Sequence, residues 1–264
     1  MVGSAFADGT SGHRLGALGI QVSAVHADLN KDFNGTLAHV AALGYREIEL
    51  VWWFGNFDRK PKQLRAALDA AGLRAPSAHI SAAALVLGWE RRLEQAHTLG
   101  HEYLFCTDFL ADTQTSLDDW REWADRLNRA GETARRADIW VGLHNEDTGF
   151  QQIDGQVPYD VFLTRTDPAV TRHQLDTGNL ALAGRDPMQY VKRYGDRYWS
   201  FHLKDHPTLS DGPNVPGAGT IDFAEFLSLV PEFDQKHFVV EFDAEGTALT
   251  AAERSYRYLR ALDF

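Results

Sequence analysis

The sequence has a single cysteine, no long apolar run and fewer basic than acidic residues. Cys106 is the one cysteine among 264 residues, so no disulfide can form within the chain and packing must stabilise the core. No stretch reaches the roughly 20 apolar residues that a membrane-spanning helix needs. The 26 basic and 37 acidic residues give a formal net charge of −11, whereas proteins that bind nucleic acids usually present a basic face. We therefore expect neither a membrane nor a nucleic acid as a partner.

The N-terminal segment, residues 1–14, also lacks the pattern of a helix or a strand. Its "SAFA" stretch resembles the small-residue end of an export signal, but neither a charged start nor an apolar segment precedes it. We predict a disordered tail or the remnant of an export signal over residues 1–14, and one globular domain over residues 15–264. The expected location is the cytoplasm, or the periplasm or cell exterior if an export signal has been removed.

From residue 18 onward, short apolar runs alternate with amphipathic helical segments. The runs are partly β-branched or aromatic, as buried parallel strands are, and they are Leu18–Ser23, Glu47–Val51, Arg74–Ile80, Tyr103–Thr107, Ile139–Glu146, His173–Asp176, Tyr198–Lys204 and His237–Phe242. Eight strand–helix units in about 250 residues are typical of a single-domain (β/α)₈ barrel, an α/β TIM barrel. No glycine-rich phosphate loop follows the first strand, which favours the barrel over a doubly wound open sheet.

Capping signals predict where several helices begin and end. We predict that one helix starts at Asn34 and ends at Gly44, because glycine is the usual residue after a helix. Ser116 is the expected N-cap of a helix with acidic residues in its first turn. Thr250 and Glu253 stand at the spacing of a capping box at the start of the last helix.

Four consecutive strands end in side chains that could bind a metal. Alternation places His144 and Glu146 on one face of the fifth strand. Asp176, His202 and Glu241 stand at the ends of the next three strands, where TIM barrels carry their chemistry. Carboxylates with one or two imidazoles suit Mn²⁺, Mg²⁺, Co²⁺ or Zn²⁺. Each residue alone also has a structural explanation, since Asp176 precedes a "TGN" turn and strand histidines are often satisfied core residues, so spacing leaves both interpretations open.

Further residues are predicted near the same end of the barrel. His79 ends the third strand and Glu49 lies on the second, and either could contact a substrate hydroxyl. Lys204 could stabilise an anionic oxygen, with Asp205 orienting it. The segment "VWWFGNF" places Trp52, Trp53, Phe54 and Phe57 near the same end. Aromatic faces stack on the apolar faces of sugar rings, which makes Trp52 a candidate substrate contact, although a contact in an oligomer is the alternative.

Several motifs resemble the xylose isomerase-like TIM barrels, the sugar phosphate isomerase/epimerase superfamily. The stretch from "LDTGN" to "AGRDPMQYVKRYGDRYWSFHLKD" resembles that family's D-x-G-N…H-x-K-D block, "GAGTIDF" resembles its loop after strand 7, and "FVVEFD" resembles its last strand. The likeness covers nearly the whole chain. It implies a divalent metal, Mn²⁺ before the others, held by Asp176, His202, Glu241 and an acidic residue from strand 5.

Strand 5 departs from the family pattern. It reads "HNEDTGF", where many members of the family have H-N-H-x-x-E-F. Glu146 is the expected fourth ligand, because other branches of the family use a glutamate from this strand. His144, on the same face, is then free to act as a general base. The reverse assignment of these two residues stays open.

The resemblance also implies an enzyme that acts on a keto-sugar or polyol through an enediolate. The metal would polarise a carbonyl, and Glu146, Glu241 or His144 would remove the proton from the adjacent carbon. A sugar isomerase or epimerase is the first expectation. The alternatives are a lyase acting on 3-keto-sugars, of the C-glycoside deglycosidase or keto-inositol dehydratase type with His144 as base, and a non-catalytic sugar-binding or partner subunit. In each case the chain could form a homo-oligomer or associate with a partner subunit.

Overall fold

The computed structural model describes residues 12–107, 116–207, 214–243 and 248–264. Within these residues, eight parallel strands pair in the order β5-β4-β3-β2-β1-β8-β7-β6. Isolated bridges from Val141 to Thr171 and from His144 to Gln174 close the ring between β5 and β6. The predicted single-domain (β/α)₈ barrel is confirmed. The strands are β1 Gly19–Gln21, β2 Glu47–Val51, β3 Ser77–Ile80, β4 Tyr103–Cys106, β5 Trp140–Leu143, β6 His173–Asp176, β7 Tyr198–Leu203 and β8 His237–Val240.

Helices follow the strands and cover the outside of the barrel. Their apolar faces pack against the strands, as the burial of Trp120, Trp123 and Leu127 shows for the longest of them. In the described residues the helices are α1 His26–Lys31, α2 Phe33–Leu43, α3 Pro61–Ala71, α4 Ala83–Val86, α5 Trp89–Leu99, α6 Leu117–Arg135, α7 Pro158–Arg165, α8 Thr177–Leu182, α9 Pro187–Tyr194, α10 Phe223–Ser228 and α11 Ala248–Ala261.

Two of the predicted helix signals are confirmed and two are wrong. Ser116 is the N-cap of α6, accepting a hydrogen bond from the backbone of Asp119, and Gly44 ends α2 with φ 116°. However, α2 begins one residue before Asn34, because the carboxylate of Asp32 accepts from a backbone N–H in the first turn. Thr250 lies inside α11 and is not its N-cap, since the helix already includes residue 248.

Five strands end earlier than predicted, and in β5 and β8 the difference concerns candidate site residues at the functional end of the barrel. β5 ends at Leu143 and β8 at Val240, although the apolar patterns continue further. As a result, His144, Glu146 and Glu241 lie in the loops that begin directly after the strands. Loops at this face can present side chains to a common centre without the constraint of the strand register.

The first described residues lie beside the C-terminal residues of the chain. His13 and Phe264 exchange two backbone hydrogen bonds of 2.6 and 3.1 Å, and Arg14 forms an ion pair with Asp263. Residues 12–14, predicted as part of a tail, therefore pack beside the C-terminus, whereas residues 1–11 lie outside the described residues. In the described part of the chain, no helix is both long and apolar enough to cross a membrane.

Candidate metal and active site

Four side chains of the types that bind metals converge at the C-terminal end of the barrel. His144, Asp176, His202 and Glu241 each offer one ligand atom, and these atoms lie within 4.8 Å of one another. The pairing of β6 with β7 sets Asp176 directly beside His202. His144 and Glu241 follow the last residues of β5 and β8. Successive strands of the barrel thus bring together residues that are far apart in the sequence.

Asp176 has one carboxylate oxygen engaged and one without a partner. Its Oδ1 accepts a 2.7 Å hydrogen bond from the backbone N–H of Asn179 and so caps α8. Its Oδ2 is buried and has no hydrogen-bond partner among the described residues, and it lies 3.6 Å from Nδ1 of His202. Burial raises the pKa of Asp176 above its usual value. Asp176 is therefore both a helix cap and a buried acceptor that faces the cluster.

His202 lies between two carboxylates. Its Nε2 is 2.6 Å from Oε1 of Glu49, and its Nδ1 is 2.6 Å from Oε2 of Glu241. Burial acts to lower the pKa of His202, but Glu49 and Glu241 outweigh it and hold the pKa well above its usual value. Without an ion, a proton on this imidazole thus balances the two acidic side chains.

In the described part of the chain, the group of four possible metal ligands includes His144 and not Glu146. Nδ1 of His144 is 2.8 Å from Oε1 of Gln174, and burial, followed by the charges of His79 and His202, lowers its pKa well below the usual value. An imidazole in this state is neutral and can offer a lone pair. The sequence favours Glu146 as the ligand and His144 as the base and leaves the reverse open, and the group of four ligand atoms includes His144.

Glu146 lies at the rim of the cluster and is partly exposed. Its side chain is 44% exposed, with Oε1 3.9 Å from Nε2 of His144, and Oε2 accepts a 3.2 Å hydrogen bond from Asn179. Partial burial, followed by the negative charges of Glu241 and Asp176, raises the pKa of Glu146 to about 7. A carboxyl group with such a pKa can both take up and release a proton near neutral pH.

Lys204 lies beside Glu241 at the same end of the barrel. Its Nζ is 3.8 Å from Oε1 of Glu241 and 3.4 Å from Oδ2 of Asp243. Burial acts to lower the pKa of Lys204, but Glu241, Asp176 and Asp243 outweigh it and raise the pKa above its usual value. Lys204 is therefore a fixed positive charge at the mouth and not a base.

Glu49 and His79 lie beneath the cluster, inside the barrel. Nε2 of His79 is 3.0 Å from Oε1 of Glu49 and 2.8 Å from Oε1 of Gln174, and Nδ1 of His79 is 3.1 Å from Nε2 of Gln21. His79, His144 and His202 also form a group of possible metal ligands. The contacts of His79 run to Glu49, Gln174 and Gln21 and not to the group of four side chains, so we assign it to supporting the cluster from below.

Sequence analysis missed the amide side chains around the cluster. Asn145 forms two hydrogen bonds with the backbone of Asp176, of 2.8 and 3.1 Å, and Asn179 contacts Glu146. Gln174 contacts both His79 and His144. The one signal in the sequence is that Gln174 stands two residues before Asp176 on a strand, and alternation places both on the same face.

Of the two tryptophans predicted at this end of the barrel, Trp53 lies beside His79, whereas Trp52 packs against other side chains. The ring of Trp52 packs 6.1 Å from that of His101, and the guanidinium of Arg92 lies 5.5 Å above it. Trp53 is 54% exposed and its ring lies 6.4 Å from that of His79. Trp53 therefore presents an aromatic face that a substrate could reach.

A cavity of about 470 Å³ opens beside β5. Its volume is within the range of small-molecule sites, and it borders the cluster through the β5 loop. Its walls are mainly apolar, and the lining includes Trp120, Leu143, His144, Glu146, Ile153 and Tyr159. Glu146 thus belongs both to this cavity and to the rim of the cluster.

Asp205 anchors the loop after β7 and does not orient Lys204, contrary to the prediction. Its Oδ1 accepts hydrogen bonds from the backbone N–H groups of His206 and Ile221, at 2.8 and 3.1 Å. Its Oδ2 accepts from those of Gly217 and Gly219, both at 2.9 Å. One buried carboxylate therefore holds the described part of the loop in place.

Replacing Asp205 with alanine should destabilise the protein and release this loop. Removing the carboxylate leaves backbone donors without partners, and each buried unpaired donor costs about 1–3 kcal/mol. We expect a free energy of unfolding lower by about 2–4 kcal/mol and faster cleavage of the 214–221 segment by a protease. Chemical denaturation and limited proteolysis with mass spectrometry measure both effects. Equal stability and equal cleavage in the variant would contradict the anchoring role.

Known proteins with similar sequences and structures share this barrel. A curated protein named inosose dehydratase, from Lacticaseibacillus casei, is 25% identical, and the match covers 87% of this chain and 89% of that protein. A crystal structure of a sugar phosphate isomerase/epimerase from Parabacteroides distasonis ATCC 8503 has a TM-score of 0.80 at 22% identity, covering 97% of this chain and 96% of that one. A crystal structure of the IOLI protein with a bound zinc atom has a TM-score of 0.70 at 16% identity, covering 92% and 95%.

The family itself follows from a direct match of the sequence. The family model described as xylose isomerase-like TIM barrel matches residues 37–262. This range includes β2 to β8 but not β1. The resemblance noted in the sequence and the prediction that the chain is an enzyme are both confirmed. The chain belongs to the xylose isomerase-like TIM barrel family.

Proposed function

We propose that this chain is a divalent-metal-dependent enzyme that removes a proton from the carbon next to the carbonyl of a keto-sugar or keto-polyol. One observation carries this proposal: four ligand atoms lie within 4.8 Å of one another at the catalytic end of the barrel, and one of the side chains, Asp176, has a buried oxygen without a partner. A buried, unpaired carboxylate oxygen is costly unless a cation completes it. The donor set therefore fits a divalent ion.

The proposed ligands are His144, Asp176, His202 and Glu241. Two imidazoles and two carboxylates suit Mn²⁺ first, and also Co²⁺, Zn²⁺ or Mg²⁺. Nε2 of His202 donates to Glu49, so Nδ1 is the nitrogen left to bind an ion, in the arrangement by which carboxylates commonly orient metal-binding histidines. When bound, such an ion would polarise the substrate carbonyl and make the adjacent C–H more acidic.

Glu146 is the proposed acid and base. Among the candidates from the sequence it is the carboxyl group at the rim that is partly open to solvent and lines the cavity, whereas Glu241 is held by His202 and Lys204. Glu146 can take a proton from a substrate carbon and return it to a neighbouring atom. Lys204 contributes a positive charge that stabilises an oxygen anion as the proton leaves.

Our first candidate reaction is sugar isomerisation or epimerisation. In isomerisation a single accessible carboxyl group takes the proton from one carbon and returns it to the neighbouring carbon, while the hydroxyl proton passes from one substrate oxygen to the other. Epimerisation needs a second group on the opposite face of the substrate, and Glu241 is the remaining acidic side chain of the site. The solved structure of a sugar phosphate isomerase/epimerase with the same fold supports this candidate.

The second candidate is dehydration of a keto-polyol. The relative named inosose dehydratase supports it, and so does the pKa of about 7 for Glu146. A group of this pKa can take the proton beside the carbonyl and then give it to a departing hydroxyl on the same face. Both candidates share the first step and differ in where the proton goes next.

One experiment separates the candidates. Metal-free protein is reloaded with Mn²⁺ and incubated in D₂O with a set of keto-hexoses, their phosphates and keto-inositols, and the products are followed by NMR and ultraviolet absorbance. Isomerisation or epimerisation gives deuterium at the carbon next to the carbonyl and an isomer of equal oxygen content. Dehydration gives an unsaturated ketone with loss of water. If protein shown to hold the metal gives no deuterium exchange and no product, the result contradicts an enzyme of this class on these substrates. It then favours the sugar-binding alternative.

A further inference from the structure

Gln174 uses all of its hydrogen-bonding capacity inside the barrel. Its Oε1 is 2.8 Å from Nδ1 of His144 and 2.8 Å from Nε2 of His79. Its Nε2 is 2.8 Å from Oε2 of Glu49 and 2.8 Å from Oγ of Ser200. The side chain is fully buried, so no solvent molecule competes for these contacts. Gln174 therefore connects residues from four other strands or their ends.

The orientation of the Gln174 amide is determined by Glu49. The Glu49 carboxylate accepts hydrogen bonds at both oxygens, and Oε2 also takes the Ser77 hydroxyl at 2.6 Å. A carboxylate can only accept, so the NH₂ end of Gln174 must point to it. The amide oxygen then points to His79 and His144. Because an amide oxygen also only accepts, both imidazoles must donate to it.

Protons on His79 and His144 follow from this orientation. His144 carries its proton on Nδ1, which leaves the lone pair on Nε2. His79 carries a proton on Nε2, so its Nδ1 accepts from Nε2 of Gln21, at 3.1 Å. The carbonyl oxygen of Gln21 in turn accepts from the hydroxyl of Ser23. Each donor in this chain of contacts meets an acceptor, so the assignment is consistent at every step.

We propose that Gln174 is a positioning residue that sets the tautomer of His144, and thereby the nitrogen that His144 offers to the metal. Glu49 orients Nε2–H of His202 directly and acts on His144 through the Gln174 amide. One buried carboxylate thus determines which nitrogen each histidine presents. The role of Gln174 in metal binding rests on the proposed function, whereas the tautomer itself does not.

The experiment compares the parent protein with Gln174→Met and Gln174→Glu. Methionine has a similar length but accepts no comparable hydrogen bond, whereas glutamate keeps an acceptor oxygen beside His144. Metal-free proteins labelled with ¹⁵N-histidine are studied by NMR, which distinguishes protonated from unprotonated ring nitrogens, and a His144→Asn spectrum assigns the signals. We expect Nδ1 of His144 to be protonated in the parent and in Gln174→Glu, and both tautomers to appear in Gln174→Met.

Metal affinity gives the second measurement. Competition with a chelator for Mn²⁺ should show an affinity about 10–100-fold lower in Gln174→Met, as when the outer partners of metal ligands are removed. Ser200→Ala is the matched control, because it removes a contact to the same amide without touching a histidine, and it should keep the parent tautomer.

Two outcomes would overturn the inference. His144 protonated on Nε2 in the parent would do so even if Gln174→Met failed to fold. An unchanged tautomer in Gln174→Met would also do so, and any loss of affinity would then reflect packing. By contrast, a parent that shows the expected tautomer but binds no Mn²⁺ would support the inference and contradict the proposed function.

Discussion

Asp176→Asn is expected to abolish stoichiometric binding of Mn²⁺ while the barrel stays folded. The asparagine carbonyl can still accept from the backbone of Asn179 and cap α8, as Oδ1 does now at 2.7 Å. The NH₂ group that replaces Oδ2 cannot bind a cation. We expect the affinity for Mn²⁺ to fall by at least about 100-fold, because even outer partners of a metal site contribute 10–100-fold. Plasma mass spectrometry on protein purified without chelators measures the metal content.

The same substitution should remove the stabilisation that the metal provides. A ligand at 100 times its Kd stabilises a folded protein by about 2.7 kcal/mol, which corresponds to a rise in Tm of roughly 5–11 °C for a chain of this size. The parent should show this rise on addition of Mn²⁺, and Asp176→Asn should not. Asp222→Asn is the matched control, because Asp222 also caps a helix, by accepting from Glu225 at 3.0 Å. A full metal content in Asp176→Asn would contradict the proposed site.

Much of the barrel could be predicted from the sequence because short apolar runs, typical of buried strands, alternate with amphipathic helical segments. The bounds of β2 and β6 agree with the prediction, since turn or helix signals follow both runs directly. β5 was predicted to continue to Glu146 because alternation continues past Leu143. The backbone leaves the ladder there, and after that point only the isolated bridge from His144 to Gln174 remains. Alternation in a sequence does not show where hydrogen bonding between strands stops.

The same physical limit explains why the sequence did not separate the roles of His144 and Glu146. Both residues stand on one face of the fifth strand in the sequence, and either could bind the metal. Once the strand ends between Leu143 and His144, the orientation of each side chain depends on the loop and on its partners. Gln174 holds His144 inward through a 2.8 Å hydrogen bond, whereas Asn179 holds Glu146 at the rim. Neither partner could be chosen from spacing alone.

Gln174 shows which part of a site is hardest to predict. Its contacts to His79 and Glu49 join residues 95 and 125 positions away in the sequence. A neutral amide on a buried strand carries no charge pattern that marks it as functional. Asp176 and His202 were predicted because side chains that can bind a metal end four consecutive strands and because the motifs around them resemble those of a known family. Residues that support the ligands, such as Gln174, can be identified only from the closed barrel, in which distant strands come into contact.

Glu146→Gln is expected to stop proton removal from the substrate without removing the metal. Glutamine keeps the size of the side chain and an oxygen that can accept from Asn179, which now contacts Oε2 at 3.2 Å. It cannot take up a proton from carbon, and loss of a positioned base lowers rates by about 10²–10⁴-fold. The rate of deuterium exchange at the substrate carbon, measured by NMR in D₂O, should fall by this factor. The Mn²⁺ content should equal that of the parent.

A comparison of two single variants determines which residue of the loop after β5 binds the metal. His144→Gln should lose Mn²⁺, whereas Glu146→Gln should keep it, because His144 belongs to the group of four ligand atoms. Asp147→Asn, at the exposed next position, is the control for a general effect of removing a negative charge from this loop. It should match the parent in Mn²⁺ content and in the rate of deuterium exchange. If Glu146→Gln loses the metal and His144→Gln keeps it, the assignment made from the sequence is correct. The side chain of Glu146 would then have to turn inward when the ion binds, and His144 would be the base.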